Sequence, residues 1–224
     1  MTQHAQVVQR PTRPAAQLIL LFHGVGADAQ SMCPLGERLA TEFPRALVVA
    51  VQAYQPCDLS AGFQWFSVLG ITEDNRLERV AQAMPAFEAC VAHWQQEAGV
   101  DASATALIGF SQGAIMALES LKRDTPLAAR VIAISGRFAS LPLAAPSTTT
   151  VHMLHGKTDA VIPYGYTVEA AHHLRALGAD ITAEVLPFIG HELHAEFVDR
   201  IVDQLTTHIP QRLWADALKA APSA

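Results

Sequence analysis

The chain has 224 residues, of which 50% are hydrophobic and 16% charged, so it can bury a sizeable core and is not a disordered polymer. Fifteen Lys and Arg against 21 Asp and Glu leave a net charge of −6 with no basic block, which speaks against nucleic acid and against anionic lipid as partners. The apolar runs are far shorter than the roughly 20 residues of a membrane-spanning helix, and the polar start of the chain does not read as a secretory signal. Cys33, Cys57 and Cys90 are odd in number and widely spaced. They read as reduced thiols of a cytoplasmic protein rather than a disulfide framework or a zinc knuckle.

In chain order, short apolar runs alternate with longer amphipathic ones. A weak strand at residues 6–9 precedes strands at Gln17–Phe22, Ala46–Val51, 104–110, 130–135, 151–155 and Ile181–Leu186. Several are apolar on both faces, as in a buried parallel sheet. Helices are expected at 32–42, 77–97, 113–122, 166–177 and 192–208, with a short one in the tail at 213–218. In the second of these, Leu77, Val80, Met84, Phe87, Val91 and Trp94 follow helical spacing, and Pro85 should kink or split it. The alternation predicts a single α/β domain over 1–224, with a mainly parallel central sheet and helices on both faces. The segments 1–14 and 221–224 are expected to be flexible. In such sheets the site lies at the carboxyl ends of the strands, so the residues after each strand carry the functional information.

After 104–110 comes Gly109-Phe110-Ser111-Gln112-Gly113, a G-x-S-x-G between a strand and a helix, the setting a nucleophile elbow requires. The serine must sit on a tight turn, and side chains at the flanking positions would collide with the neighbouring strand and helix. After 151–155 comes Gly156-Lys157-Thr158-Asp159, and after Ile181–Leu186 comes Pro187-Phe188-Ile189-Gly190-His191. Ser111, Asp159 and His191 thus follow the chain order of α/β-hydrolase triads, each at a strand end. Alone, Asp159 would read as a turn residue, and His191 competes with His23, His155 and His194.

After the Gln17–Phe22 strand, His23-Gly24-Val25-Gly26-Ala27-Asp28 reads as an oxyanion loop whose backbone N–H would join that of Gln112. It also fits a dinucleotide fingerprint. Asp28 would then face a pyrophosphate, and the acid expected about 20 residues on for the ribose is missing. His191-Glu192-Leu193-His194 has the wrong spacing for a zincin, and His152 and His155 should point to opposite faces of their strand, so no metal is expected. Trp65 and Phe66, with nearby Leu69, are candidates for an acyl pocket, with core packing as the alternative.

Together these pieces resemble the small phospholipase/carboxylesterase family of α/β-hydrolases, which includes acyl-protein thioesterases and compact bacterial carboxylesterases. The matching segments are 21–28, Trp65-Phe66, the G-F-S-Q-G at 109–113, Ala133-Ile134-Ser135-Gly136, His155-Gly156 with Asp159 and Val161-Ile162-Pro163, and Gly190-His191. The resemblance implies a Ser111, Asp159, His191 triad, an oxyanion hole from the N–H groups of Val25 and Gln112, no cofactor and no large lid. It departs at Ser67, where the family often has Asp, and at Val25, which replaces a common Leu. The function expected is hydrolysis of short- to medium-chain esters, with a small-molecule ester as substrate. A thioesterase or lysophospholipase, and a non-catalytic hydrolase-like binding protein, are the alternatives. An exposed apolar strip near the Trp65 loop would favour a homodimer.

Overall fold

The computed structural model describes residues 4–220; the expectations for 1–3 and 221–224 fall outside them. The strands are β1 (Ala5–Gln9), β2 (Gln17–Phe22), β3 (Ala46–Val51), β4 (Gln55–Pro56), β5 (Phe63–Gln64), β6 (Thr105–Phe110), β7 (Arg130–Ile134), β8 (Thr150–Gly156) and β9 (Ile181–Leu186). Seven form one sheet in the order β1-β3-β2-β6-β7-β8-β9, parallel except for the antiparallel edge pair β1–β3. The short β4–β5 hairpin was not expected from the sequence, because two-residue strands carry no periodicity. The helices are α1 (Cys33–Glu42), α2 (Glu73–Ala98), α3 (Gln112–Glu119), α4 (Gly165–Ala176), α5 (Ala195–Thr207) and α6 (Gln211–Ala220).

Alternation along the strands builds two cores. Leu18, Leu20 and Phe22 of β2 face α2, α3 and α4, through Val80, Phe87, Ile115, Met116 and Leu174. Ile19 and Leu21 face α1 and α5, through Leu35, Leu39, Phe197 and Ile201. Both sheet faces are therefore covered, which is why these strands are apolar on both sides.

In α2 the expected start and the expected split at Pro85 are not found. The helix begins at Glu73, a turn before the apolar spacing starts, because the Thr72 N–H is capped by Asn75 Oδ1 at 2.9 Å. It also runs unbroken through Pro85. Pro85 and Ala81 both lie on the exposed face, so the Ala81 carbonyl that loses its donor is left to water rather than buried. At the other end, α5 starts at Ala195 rather than 192. His194 is its N-cap, with Nδ1 accepting from the Glu196 N–H at 3.2 Å.

His152 and His155 do point to opposite sides of β8. His152 meets Thr182 Oγ1 at 2.8 Å within a buried polar cluster that joins the α5–α6 junction to the sheet. There Asp180 accepts from Thr150, His208 and the Gln211 N–H, and Arg130 donates to the His208 carbonyl. Burial, with the charges of Arg130 and His208, lowers the His152 pKa to about 3. An imidazole in the unfolded chain titrates near 6.5. Between about pH 6.5 and 3 the unfolded chain binds a proton that the native state refuses. Stability is therefore full above that range and falls with acid by up to about 1.4 kcal/mol per pH unit. Urea unfolding from about pH 7 to about pH 4 should show a shallower acid slope in His152→Gln, by one proton; equal slopes would contradict this assignment.

Candidate active site

The carboxyl ends of β2, β6, β7, β8 and β9 lie side by side, and the loops that follow them bring the expected residues together. Ser111 stands between β6 and α3 with φ +52°, a backbone strain rarely accepted by a residue with a side chain. The turn is tight for the reason the glycines suggested. A Cβ on Gly109 would come within 2.4 Å of the Gly113 and Ala114 backbone, and one on Gly113 within 2.2 Å of the Phe22 carbonyl oxygen. Strand, elbow and helix therefore pack backbone against backbone.

Ser111 Oγ lies 2.8 Å from His191 Nε2, and His191 Nδ1 lies 2.7 Å from Asp159 Oδ2. The other carboxylate oxygen, Oδ1, accepts from the N–H groups of Val161 and Ile162 at 2.8 and 2.9 Å. Burial pushes the Asp159 pKa up. The hydrogen bonds from His191, Ile162 and Val161, with the charge of His191, outweigh it and hold the carboxyl below its ordinary value. Asp159 is then ionised and accepts only, so His191 carries its proton on Nδ1 and presents Nε2 as acceptor to the serine hydroxyl. The Asp and His loops are fastened to each other: Thr158 donates through both N–H and Oγ1 to the Ile189 carbonyl, and Gly156 leaves no room for a Cβ beside it. Phe110 packs its ring on His191 at 5.0 Å.

The loop after β2 lies against the serine, where a Cβ on Gly24 would meet Ser111 Cβ at 3.1 Å. Gln112 is the first residue of α3, so its N–H has no intrahelical acceptor. Among the described residues the Val25 N–H also has none, whereas Gly26 and Ala27 donate to Phe63 and Gly24. Val25, Ser111 and Gln112 line the same groove, and the Gln112 N–H lies at the positive end of α3.

Three supporting contacts were not visible in the sequence. The Gln112 side chain accepts from the Trp65 N–H and donates to the Phe66 carbonyl, both at 2.7 Å, pinning that loop to the elbow. His23 is fully buried and its pKa is lowered by desolvation. The neutral ring donates from Nδ1 to the Gly24 carbonyl at 2.7 Å and accepts at Nε2 from the Ala53 N–H, which fixes the loop that carries Val25. His155, also lowered by desolvation, meets Thr167 Oγ1 and the Ile162 carbonyl at 2.8 Å and stands 3.2 Å from Asp159 Oδ2.

A groove of about 320 Å³ opens beside Ser111 and Gln112, walled by Val25, Phe66, Ile115, Ile162 and Tyr166 among others. The pocket expectation divides here. Phe66 lines the groove. Trp65 does not: it is 1% exposed, packs on Phe22 and Phe87, and donates Nε1–H to the His23 carbonyl, so it is a core residue. Leu69 is 61% exposed and lies off the groove. Ser67 hydrogen-bonds the Asp58 carboxylate, which places an acid in this loop although not at position 67.

Residues 3–209 match the model of the phospholipase/carboxylesterase family. The chain belongs to that family. One relative, esterase YpfH of Escherichia coli (strain K12), is 49% identical over 212 residues, covering 95% of this chain and 91% of that one. The crystal structure of esterase PE8 superposes with a TM-score of 0.81 at 27% identity, over 92% of this chain and 98% of that chain. The Bacillus cereus carboxylesterase superposes with a TM-score of 0.76 at 19% identity, over 90% and 92%, which shows the shared fold. The sheet and its helices are thus those of the α/β-hydrolases, and the chain is a hydrolase of that superfamily. Among the described residues no helix is long and apolar enough to cross a membrane.

Proposed function

We propose that the chain is a serine carboxylesterase that hydrolyses short- to medium-chain esters through an acyl-enzyme on Ser111. The observation that carries this reading is the continuous hydrogen-bonded line from Ser111 Oγ through His191 to Asp159. His191 Nε2 takes the Ser111 proton as Oγ attacks the ester carbonyl. Asp159 holds the imidazole in the required tautomer and stabilises the imidazolium. The N–H groups of Val25 and Gln112 receive the oxyanion. Collapse of the tetrahedral intermediate expels the alkoxide, protonated by His191, and leaves the acyl group on Ser111. Water, activated by the same histidine, then releases the acid and restores the serine.

The chain works as a single domain and without a cofactor. Cys33, Cys57 and Cys90 are odd in number and widely spaced, which supports a reducing, cytoplasmic setting. The groove favours short acyl groups, because its apolar walls at Phe66, Ile115 and Ile162 share the lining with the charged side chains of Glu73, Arg76 and Arg137. Burying a long alkyl chain against them would desolvate charge without hydrogen-bond compensation. Hydrolysis of p-nitrophenyl esters from acetate to palmitate should peak at the short end and fall steeply for palmitate. A long-chain optimum would contradict the acyl preference and favour a lysophospholipase or acyl-protein thioesterase.

A further inference from the structure

The groove that opens on Ser111 has two largely buried arginines in its lining. Arg137, only 8% exposed, donates through Nη1 and Nη2 to the two carboxylate oxygens of Glu73 at 3.0 and 2.7 Å, and through Nε to the Phe138 carbonyl at 3.1 Å. Its guanidinium lies 3.7 Å from the centre of the Tyr166 ring. Arg76 donates to the same Glu73 carboxylate at 3.1 Å, while its Nε is buried with no hydrogen-bond partner. Both arginines line the groove. One carboxylate therefore faces two guanidiniums, leaving a positive charge uncompensated in a chain whose net charge is −6. A guanidinium offers five N–H donors. Arg137 commits three of them and Arg76 one.

A cluster whose sole task was to anchor α2 to the loop after β7 would need only the Glu73–Arg137 fork. The second arginine, the unused donors and the rigid hold on Arg137 by Tyr166 are what a fixed receptor for a planar anion requires. The same groove also has apolar walls, at Phe66, Ile115 and Ile162. Resting on the esterase reading above, we propose that the groove selects esters whose acyl chain ends in a carboxylate, half-esters of dicarboxylic acids, with Arg76 and Arg137 as the residues that receive that carboxylate. These arginines are specificity determinants: they act on the far end of the acyl group and not on the reacting atoms. A hydrogen-bonding site of this kind discriminates against the analogue that lacks the partner, because its donors are then left unpaired.

The test compares kcat/KM for monomethyl adipate and methyl hexanoate, matched in acyl length, at low ionic strength, in the wild type, Arg76→Met and Arg137→Met. The wild type should prefer the half-ester by about tenfold or more, and Arg76→Met should bring the ratio toward one, mainly through KM. Added salt should erode the preference in the wild type. If Arg137→Met fails to fold by circular dichroism, the partly exposed Arg76 carries the test. Equal or faster turnover of methyl hexanoate by the wild type, or a preference that Arg76→Met leaves unchanged, would overturn the inference while leaving the esterase reading intact. Hydrolysis of neither ester, with no fluorophosphonate adduct on Ser111, would remove the esterase reading and the inference together.

Discussion

Replacing Ser111 by alanine is expected to lower kcat for p-nitrophenyl acetate by about 10⁶-fold, the scale on which serine hydrolases lose turnover when the nucleophile is removed. The loss should come without unfolding. Ser111 Oγ has one hydrogen-bond partner, His191 Nε2, so its removal forfeits about 1 kcal/mol at most. The backbone is held independently by the Ser111 N–H to the Ile134 carbonyl at 2.9 Å and by the close packing of Gly109 and Gly113. Thermal unfolding should therefore place Ser111→Ala within a few degrees of the wild type. Residual turnover within about tenfold of the wild type would mean that another group attacks the ester.

The second large effect is expected at Asp159→Asn, about 10⁴-fold in kcat, because the change acts on the tautomer of His191. In the native site Oδ1 accepts from Val161 and Ile162 and Oδ2 accepts from His191 Nδ1–H. An asparagine keeps its carbonyl oxygen on the two backbone donors, so its NH₂ group takes the place of Oδ2. That group donates to His191 Nδ1 and forces the ring proton onto Nε2, where it blocks acceptance of the Ser111 proton. KM should change little, because Asp159 does not line the groove. A loss below about tenfold would show that the imidazole is oriented by something other than Asp159, and His155, 3.2 Å from Oδ2, would be the first group to examine.

Much of this site can be read in the sequence because a parallel sheet turns a one-dimensional pattern into a spatial one. Ser111, Asp159 and His191 each follow an apolar run, and parallel strands deliver the ends of those runs to one edge. The contacts that span the chain are a different matter. Nothing local says that the Gln112 side chain will clamp Trp65 and Phe66, or that His23 will bridge Gly24 to Ala53. For the same reason the two aromatics were not separable: adjacent residues point in opposite directions, and which of them meets the core depends on Phe22 and Phe87. The early start of α2 was legible in Thr72 and Asn75, a cap signal masked by the polarity of the first turn. Continuity through Pro85 was not, since it depends on the freed carbonyl facing water. The pairing of Glu73 with Arg137 also joins residues far apart in sequence, and neither carries a motif.

The most direct test of the central claim is the site of covalent capture. The wild-type protein would be incubated with a fluorophosphonate, its intact mass measured and the adduct mapped by peptide sequencing. One adduct on Ser111, absent in Ser111→Ala and formed far more slowly in Asp159→Asn, is the result expected of a serine activated through His191. A wild-type protein that remains unlabelled, or that is labelled at another residue, would contradict the account.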